Sequence, residues 1–423
     1  MSNQNVPELR LDGFEGKWDV VQLGGFSSKV NEKNLTLTIA ETFTNSAEHG
    51  VVSQIEFFKH QVSNDENLGG YYVVGPNDYI YNPRISTRAP VGPVNRNKLG
   101  RPGVVSPLYT VFRVLSVDHQ YLDAFFMSSR WHSFMKQNGD SGARGDRLSI
   151  NQEIFFQLPV AKPSYKEQRA IGAVFTKLDA AINQHTNKHR VLQRTKTSLL
   201  QRMFPQDDAI VPELRLDGFE GEWTHREVGD FVDVLAHNSL SRDQLTTSNT
   251  GIANVHYGDI LIKFGAVLSV KAEVLPFVRD VENLKNVRGQ TLIDGDIVFA
   301  DAAEDASVGK CTEIRETFGC RVVAGLHTIP VRPREVFGDG FLGYAFNSDS
   351  FRNQLLPKMQ GTKVSSISAT VLKESRLALP PTVEEQQAIG AVFTKLDTLI
   401  SAEAQLIEKL KQTKTALLQK MFV

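Results

Sequence analysis

Thirteen residues, VPELRLDGFEGKW, begin at Val6, and VPELRLDGFEGEW begins at Val211, with Lys17 against Glu222 as the single difference. A second pair is EQRAIGAVFTKLDAAI from Glu167 and EQQAIGAVFTKLDTLI from Glu385, identical at thirteen of sixteen positions. The likeness resumes at KTSLLQRMF from Lys196 and KTALLQKMF from Lys414. The chain therefore has the order A–x–B–A–y–B. This duplication limits the fold more than any local signal, because A and B must build the same thing twice. Two units this long are not a stacked solenoid. The intervening blocks, x (about residues 24–160) and y (about 229–378), show no alignable likeness. A duplication that simply aged would diverge everywhere. A and B therefore read as a shared chassis carrying two different heads.

The B segments predict long helices. In the first, Ile171, Leu178, His185, Leu192 and Leu199 recur every seven residues; in the second, Ile389, Leu396, Glu403, Leu410 and Leu417 do the same. A sustained seven-residue period with polar flanks is the pattern of a coiled-coil seam, in which polar residues such as His185 and Glu403 fix register. Pro163 and Pro381 stand before the helices and Pro205 after the first, as helix punctuation. Residues 167–203 as one helix would span roughly 56 Å at about 1.5 Å per residue. Two such stripes in one chain predict that the helices pair with each other rather than each folding only onto its own neighbour.

Blocks x and y read as mixed α/β domains. In x, GYYVVG, SPLYTVFRVL and EIFFQLPV carry strand-like residues, and YLDAFFMSSRWHSFMKQ has helical spacing. In y, GDILIKFGAV, LIDGDIVFA and SRLALP read as strands, and FLGYAFNSDSFRNQLLPKM as a helix with Phe341, Tyr344, Phe351 and Leu355 on one face. A chain of 423 residues is too long for one core and predicts two to four domains.

Composition narrows the function. The start MSNQNVPELR is polar, and no apolar run approaches the twenty or so residues of a membrane helix, so a cytoplasmic protein is expected. Cys311 and Cys320 are the only cysteines, too few for a four-cysteine zinc site, and read as reduced thiols. Net charge is −1, so nucleic-acid binding would have to rest on local patches or on basic partners. DASVGKC at 305–311 lacks the first glycine and the Ser/Thr of a phosphate-binding loop. YNPRI at 81–85 is similar to an adenine-methyltransferase loop but lacks its second proline and aromatic. His185 and His189, one turn apart, have no third metal ligand in sight and read as seam and flank residues.

Two places suit an anion. RISTRAPVGPVNRNKLGR (84–101) holds Arg84, Arg88, Arg96, Lys98 and Arg101 and no acid; it is either a solvated surface loop or a basic loop that crosses phosphates. The second place recurs in both blocks: SGARGDRLSI and QGTKVSSIS each offer a glycine, a basic residue and then hydroxyls. Arg144 and Arg147 in x, and Lys363, Ser365 and Ser366 in y, are the candidate phosphate- or base-contacting groups there.

Two variable α/β blocks, each followed by a near-identical helix with EQ.AIGAVFTKLD, together with PELRLDGFEG.W, LLQKMF and QGTKVSSIS, resemble the specificity subunit of type I restriction–modification systems over the whole chain. That resemblance implies target recognition domains at 1–160 and 206–378, a central spacer helix at 161–205 and a C-terminal spacer helix at 379–423. The expected fold is thus mixed α/β, two globular recognition domains separated by a two-helix antiparallel coiled coil, with an internal pseudo-two-fold repeat. It implies a non-catalytic chain that reads a divided, non-palindromic site in double-stranded DNA. Two methyltransferase subunits would bring S-adenosylmethionine, and restriction subunits would bring ATP, Mg and nuclease; no cofactor is expected in this chain, and no membrane. A helix of that length caps the gap between half-sites at on the order of 15 base pairs. Two other readings stand beside it: a protein–protein scaffold that does not touch DNA, and an enzyme with degenerate motifs.

Overall fold

The computed structural model of the chain describes residues 5–58, 65–141, 145–280, 290–360 and 365–423. The chain divides into two compact units, residues 1–185 with 406–423, and residues 186–405. In the first, a four-stranded antiparallel sheet has the order Ser27–Lys29, Thr110–Val114, Tyr79–Tyr81, Val94–Arg96. In the second, a five-stranded sheet has the order Val232–Val234, Thr328–Pro333, Ile297–Ala300, Cys311–Arg315, Val267–Ser269, antiparallel except for its last pair. The first four strands repeat the order seen in the other unit, although the two blocks share no alignable sequence. A further four-stranded sheet in the second unit includes the parallel pair Ile252–Val255 and Arg321–Ala324.

The repeated segments explain why the order is kept. In the first unit Asp19–Gln22 pairs antiparallel with Pro159–Lys162; in the second Thr224–Glu227 pairs with Arg376–Leu379. Each block is thus a loop of chain closed at its neck, and a long helix leaves that neck: Tyr165–Arg202 from x and Val383–Lys420 from y. The EQ.AIG motif sets the joint. Glu167, 2% exposed, receives two hydrogen bonds from Arg10, at 2.8 and 2.9 Å. Glu385, 1% exposed, receives the same pair from Arg215, at 2.8 and 2.7 Å. Each arginine also donates to backbone carbonyls of its own A segment, Glu15 and Gly16 or Glu220 and Gly221. The next residue, Gln168 or Gln386, accepts a backbone N–H from Asp118 or Gly338, at 3.0 Å in each. The glycine permits close approach: a Cβ on Gly172 would stand 2.6 Å from Gln120, and one on Gly390 would stand 2.1 Å from the Asp339 carbonyl. The shared Glu, Gln and Gly of the motif thus each have a geometric task at the neck.

The two helices run antiparallel within each unit. In the first unit Phe175 packs on Phe422 with centroids 5.9 Å apart, and Asp179 pairs with Lys414 at 2.5 Å. In the second Phe393 stacks on Phe204 at 6.0 Å, Asp397 pairs with Lys196 at 2.5 Å, and Glu403 pairs with Lys188 at 2.6 Å. The Lys of KT.LLQ.MF thus meets the Asp of FTKLD from the other copy of the repeat, twice. Of the seam residues, Ile171 and Ile389 are buried in the unit cores beside Met421–Phe422 and Met203–Phe204. Leu178 and Leu417 pack at the edge of the first core and Leu199 and Leu396 at the edge of the second; Leu192 and Leu410 are half-buried. The A segments lock on in the same way: Leu9 N–H donates to the Lys420 carbonyl and Leu214 N–H to the Arg202 carbonyl, each at 2.9 Å. The junction that continuous chain makes between 202 and 214 is rebuilt in the first unit from its two separate segments.

Four local expectations change. GDILIKFGAV is a helix, Tyr257–Ile262, followed by the strand Val267–Ser269, because the His256 side chain accepts the Gly258 N–H and starts a helical turn. EIFFQLPV begins as the short helix Gln152–Phe155, capped by Asn151, and only then becomes the strand Pro159–Lys162. Short apolar runs do not separate the two periods, and the caps decide. YLDAFFMSSRWHSFMKQ is two helices, His119–Met127 and His132–Asn138, and FLGYAFNSDSFRNQLLPKM is also two, Phe341–Phe346 and Asp349–Leu355. Serines stand at the breaks: Ser128 binds back to the Phe125 carbonyl, and Ser348 caps Phe351.

Arg215→Met strands the buried Glu385 carboxylate, so we expect a loss of about 3 kcal/mol, seen as lost hydrogen-exchange protection over residues 383–395 with residues 165–180 unaffected. Phe422→Ala should cost the first unit about 3–5 kcal/mol, with Phe204→Ala doing the same to the second; domain-resolved thermal unfolding distinguishes them.

Candidate nucleic-acid interface

The two predicted anion sites of block x converge. Arg84, which follows the strand Tyr79–Tyr81, forms an antiparallel backbone bridge with Arg147, which follows the Gly-x-basic segment. The bridge is held on either side by Ile85 N–H to the Asp146 carbonyl at 3.0 Å and Leu148 N–H to the Pro83 carbonyl at 2.8 Å. Leu148 is buried and anchors the return, while Arg84 and Arg147 are exposed. Among the described residues neither has an ion-pair partner, and the bridge sets the two arginines opposite each other on neighbouring segments. Like charges held together without an ion-paired acid among the described residues suit a phosphate or the two acceptors of a guanine edge. Arg144 lies outside the described residues.

The rest of the basic stretch is committed elsewhere. Arg96 binds Asp123 through Nε and a terminal nitrogen, at 2.8 Å for the shorter bond, and Lys98 reaches the same carboxylate at 2.8 Å. Tyr79 donates to Asp123 as well, at 3.0 Å. Burial works against the Arg96 charge, yet the hydrogen bonds and charge of Asp123, with Tyr79 and Asp118, together outweigh it and hold the guanidinium pKa above its usual value. Arg101 forms a two-bond pair with Glu41, each 2.7 Å, and Arg88 pairs with Glu48 at 2.5 Å on the surface. Asp123 and Glu41 lie far away in sequence, which is why an acid-free stretch looked unpaired. Arg96 ties a strand to a helix; of the five loop cations, Arg84 alone has no ion-pair partner among the described residues.

In block y the matching return is Ser365–Ser366, antiparallel to Ala302–Ala303, with Ile367 N–H donating to the Asp301 carbonyl at 2.9 Å. Ser365 is half-buried and Ser366 exposed. Lys363 lies outside the described residues. Sequence reading missed what surrounds this return. Asp301 ends the strand Ile297–Ala300, and His327 precedes Thr328–Pro333, its antiparallel neighbour. Tyr257 follows Ile252–Val255, and its ring meets that of His327 at 5.3 Å and 75°. His327 Nδ1 stands at ion-pair distance, 3.3 Å, from Asp301 Oδ1, a buried oxygen that receives no hydrogen bond among the described residues. Burial pushes the Asp301 carboxyl above the ordinary carboxylate range, against the pull of His327 and His237. Burial, aided by Arg242, lowers the pKa of His256 in the same group. No group of three His, Cys, Asp or Glu among the described residues is placed to hold a metal ion. Nor is any described helix long and apolar enough to cross a membrane.

Two dissimilar α/β heads on one sheet plan, each ending in an exposed rim of hydrogen-bonding groups, define a two-headed recognition protein. Residues 220–412 match the family model for the type I restriction modification DNA specificity domain. The chain is 26% identical over 208 residues to a chain assigned as the type I restriction enzyme MjaX specificity subunit of Methanocaldococcus jannaschii. That alignment takes in 48% of this chain and 45% of the relative, so the chain spans about half the length of that protein. With the MjaVIII specificity subunit of the same organism, identity is 20% over 97% of this chain and 93% of the other. The structure of the type I restriction–modification S subunit from M. genitalium shares the fold, with a TM-score of 0.59 over 99% of each chain at 13% identity. Residues 220–412 thus match the DNA specificity domain of type I restriction–modification systems, and nearly the whole chain is similar to a specificity subunit of such a system.

Arg84→Ala and Arg147→Ala should each weaken binding to duplex DNA and lower the slope of log affinity against log salt by about 1. Arg96→Ala should instead destabilise the first unit by about 2 kcal/mol, visible in thermal unfolding without DNA.

Proposed function

We propose that this chain is the DNA sequence-specificity subunit of a type I restriction–modification complex. Each block reads one half of a divided, non-palindromic site in double-stranded DNA, and the repeated necks and helices seat two copies of a methyltransferase subunit. The observation that carries the reading is the pairing of a shared chassis with unshared rims. Both blocks keep one sheet order and one Arg–Glu neck, yet the residues at the corresponding sheet ends differ in chemistry, arginines in x and His, Tyr, Asp and Ser in y. Selection for two different half-sites on one frame gives that division; a plain scaffold has no need of it. Two near-identical necks offer two copies of one docking surface, as an internally symmetric chain should for two identical partners.

In this reading the chain is not itself an enzyme. S-adenosylmethionine is held by the methyltransferase subunits, and ATP and Mg by restriction subunits, in the cytoplasm. Phosphate contacts would set the register on the duplex and rim side chains would read bases. Reconstitution with methyltransferase subunits and sequencing of the methylated positions tests it. The expected product is a two-part motif; exchange of residues 24–160 for the block of a relative should change one half and leave the other half and the gap intact. Methylation that changes in both halves would break the independence of the heads, and a complex that binds random duplex no better with partners than without would favour the scaffold.

A further inference from the structure

The rim of block y is built differently from that of block x. Its polar groups come from five chain segments that end together: His237 beyond Val232–Val234, His256 and Tyr257 beyond Ile252–Val255, Asp301 beyond Ile297–Ala300, His327 before Thr328–Pro333, and Ser366 in the return. None of these is lysine or arginine. Two described cations of this block are engaged: Lys310 Nζ donates to the Leu261 carbonyl at 2.9 Å, and Arg242 forms a two-bond pair with Asp259. A rim of neutral hydrogen-bonding groups beside a carboxylate is poorly made for gripping phosphate, and well made for matching donors and acceptors on base edges.

His327 is the group the rim presents. Its side chain is half-exposed, at 51%, and its backbone sits at φ +54°, a left-handed conformation uncommon for a residue with a Cβ. The strain is kept although a glycine would relieve it, the pattern expected where a side chain is needed at a set place. The backbone is held by Asp301 N–H donating to the His327 carbonyl at 3.1 Å, and the ring by Tyr257 and by Asp301 Oδ1. A carboxylate oxygen can only accept, so this close approach favours the tautomer with the proton on Nδ1. Nε2 makes no hydrogen bond among the described residues, on a side chain that is half-exposed.

Resting on the specificity-subunit reading, we propose that His327 is a base-reading residue of block y, contacting one base edge in its half-site through Nε2, and that Asp301 is a positioning residue that fixes the ring's tautomer and direction. In the tautomer with the proton on Nδ1, Nε2 is an acceptor, which matches the exocyclic amino group of cytosine or adenine in the major groove.

The test uses the full chain reconstituted with its methyltransferase subunits, first confirmed to deposit a divided motif as wild type; if the wild-type complex deposits none, the specificity-subunit reading has failed, and the inference with it. His327→Gly suits the backbone conformation and removes only the ring. It should cut discrimination at one base-pair position of one half-site by about tenfold or more, leaving the other half-site, the gap and the salt slope as in wild type. Asp301→Ala should relax the same position, while Asp301→Asn, which keeps an acceptor for Nδ1–H, should restore most of the preference. An unchanged motif in His327→Gly overturns the proposal. So does an equal loss of binding to every sequence with a smaller salt slope, which would make His327 a phosphate contact. Equal behaviour of Asp301→Ala and Asp301→Asn removes the positioning role.

Discussion

A carboxylate almost wholly out of water at the first turn of each long helix is the constraint on which the architecture turns. Glu167 and Glu385 would be costly to bury alone, and each is made tolerable by one arginine from a segment more than a hundred residues earlier. Because that arginine also binds the carbonyls of its own turn, the A segment, the neck strand and the helix start are fixed relative to one another by a single two-bond fork. A lysine could not do this, since it lacks the planar fork. Buried pairs of this kind contribute little net stability compared with an apolar contact, but they penalise every other register heavily. What the fork supplies is therefore direction: it decides where the helix leaves the block.

Above the neck, the blocks differ while the neck contacts are kept. The sheet order is dictated by how the chain must enter and leave, with the first strand beside the last strand of the series and the middle pair at the far side. The sequence on those strands need only be apolar on the buried face. Tyr79, Tyr81 and Phe112 fill that role in x with large rings, and Ile297, Phe299 and Val331 fill it in y with smaller ones. The core clusters thus tolerate complete replacement while the topology persists, and variation at the rim carries no penalty at the neck.

Much of this could be read from the sequence and some could not, for definite physical reasons. The repeats revealed the chassis, because Glu167, Gln168 and Gly172 act as a set and recur as a set at Glu385, Gln386 and Gly390. The helix period was legible because it persists over five successive positions seven residues apart, although its outermost members, Ile171 and Ile389, serve unit cores as much as any seam. The basic loop misled in proportion to its partners' distance: Asp123 and Glu41 neutralise Arg96, Lys98 and Arg101 from parts of the chain that sequence proximity does not connect. Arg84 and Arg147 were each visible but not as neighbours. Asp301 and His327 were invisible as a pair, since they meet only when two antiparallel strands align Ala300 with Thr328. GDILIKFGAV failed for a local reason, a histidine cap that no period reports.

The division of the chain into units has a temporal side. Residues 186–405 are one unbroken stretch, whereas the other unit draws on residues before and after it and needs Met421 and Phe422 beneath Tyr121 and Phe125. On the ribosome the inner unit can therefore complete its packing first. The outer unit must wait with an unfilled hydrophobic hollow until the last turn of the second helix emerges, which makes that interval the point at which a nascent chain is most exposed to chaperones and proteases.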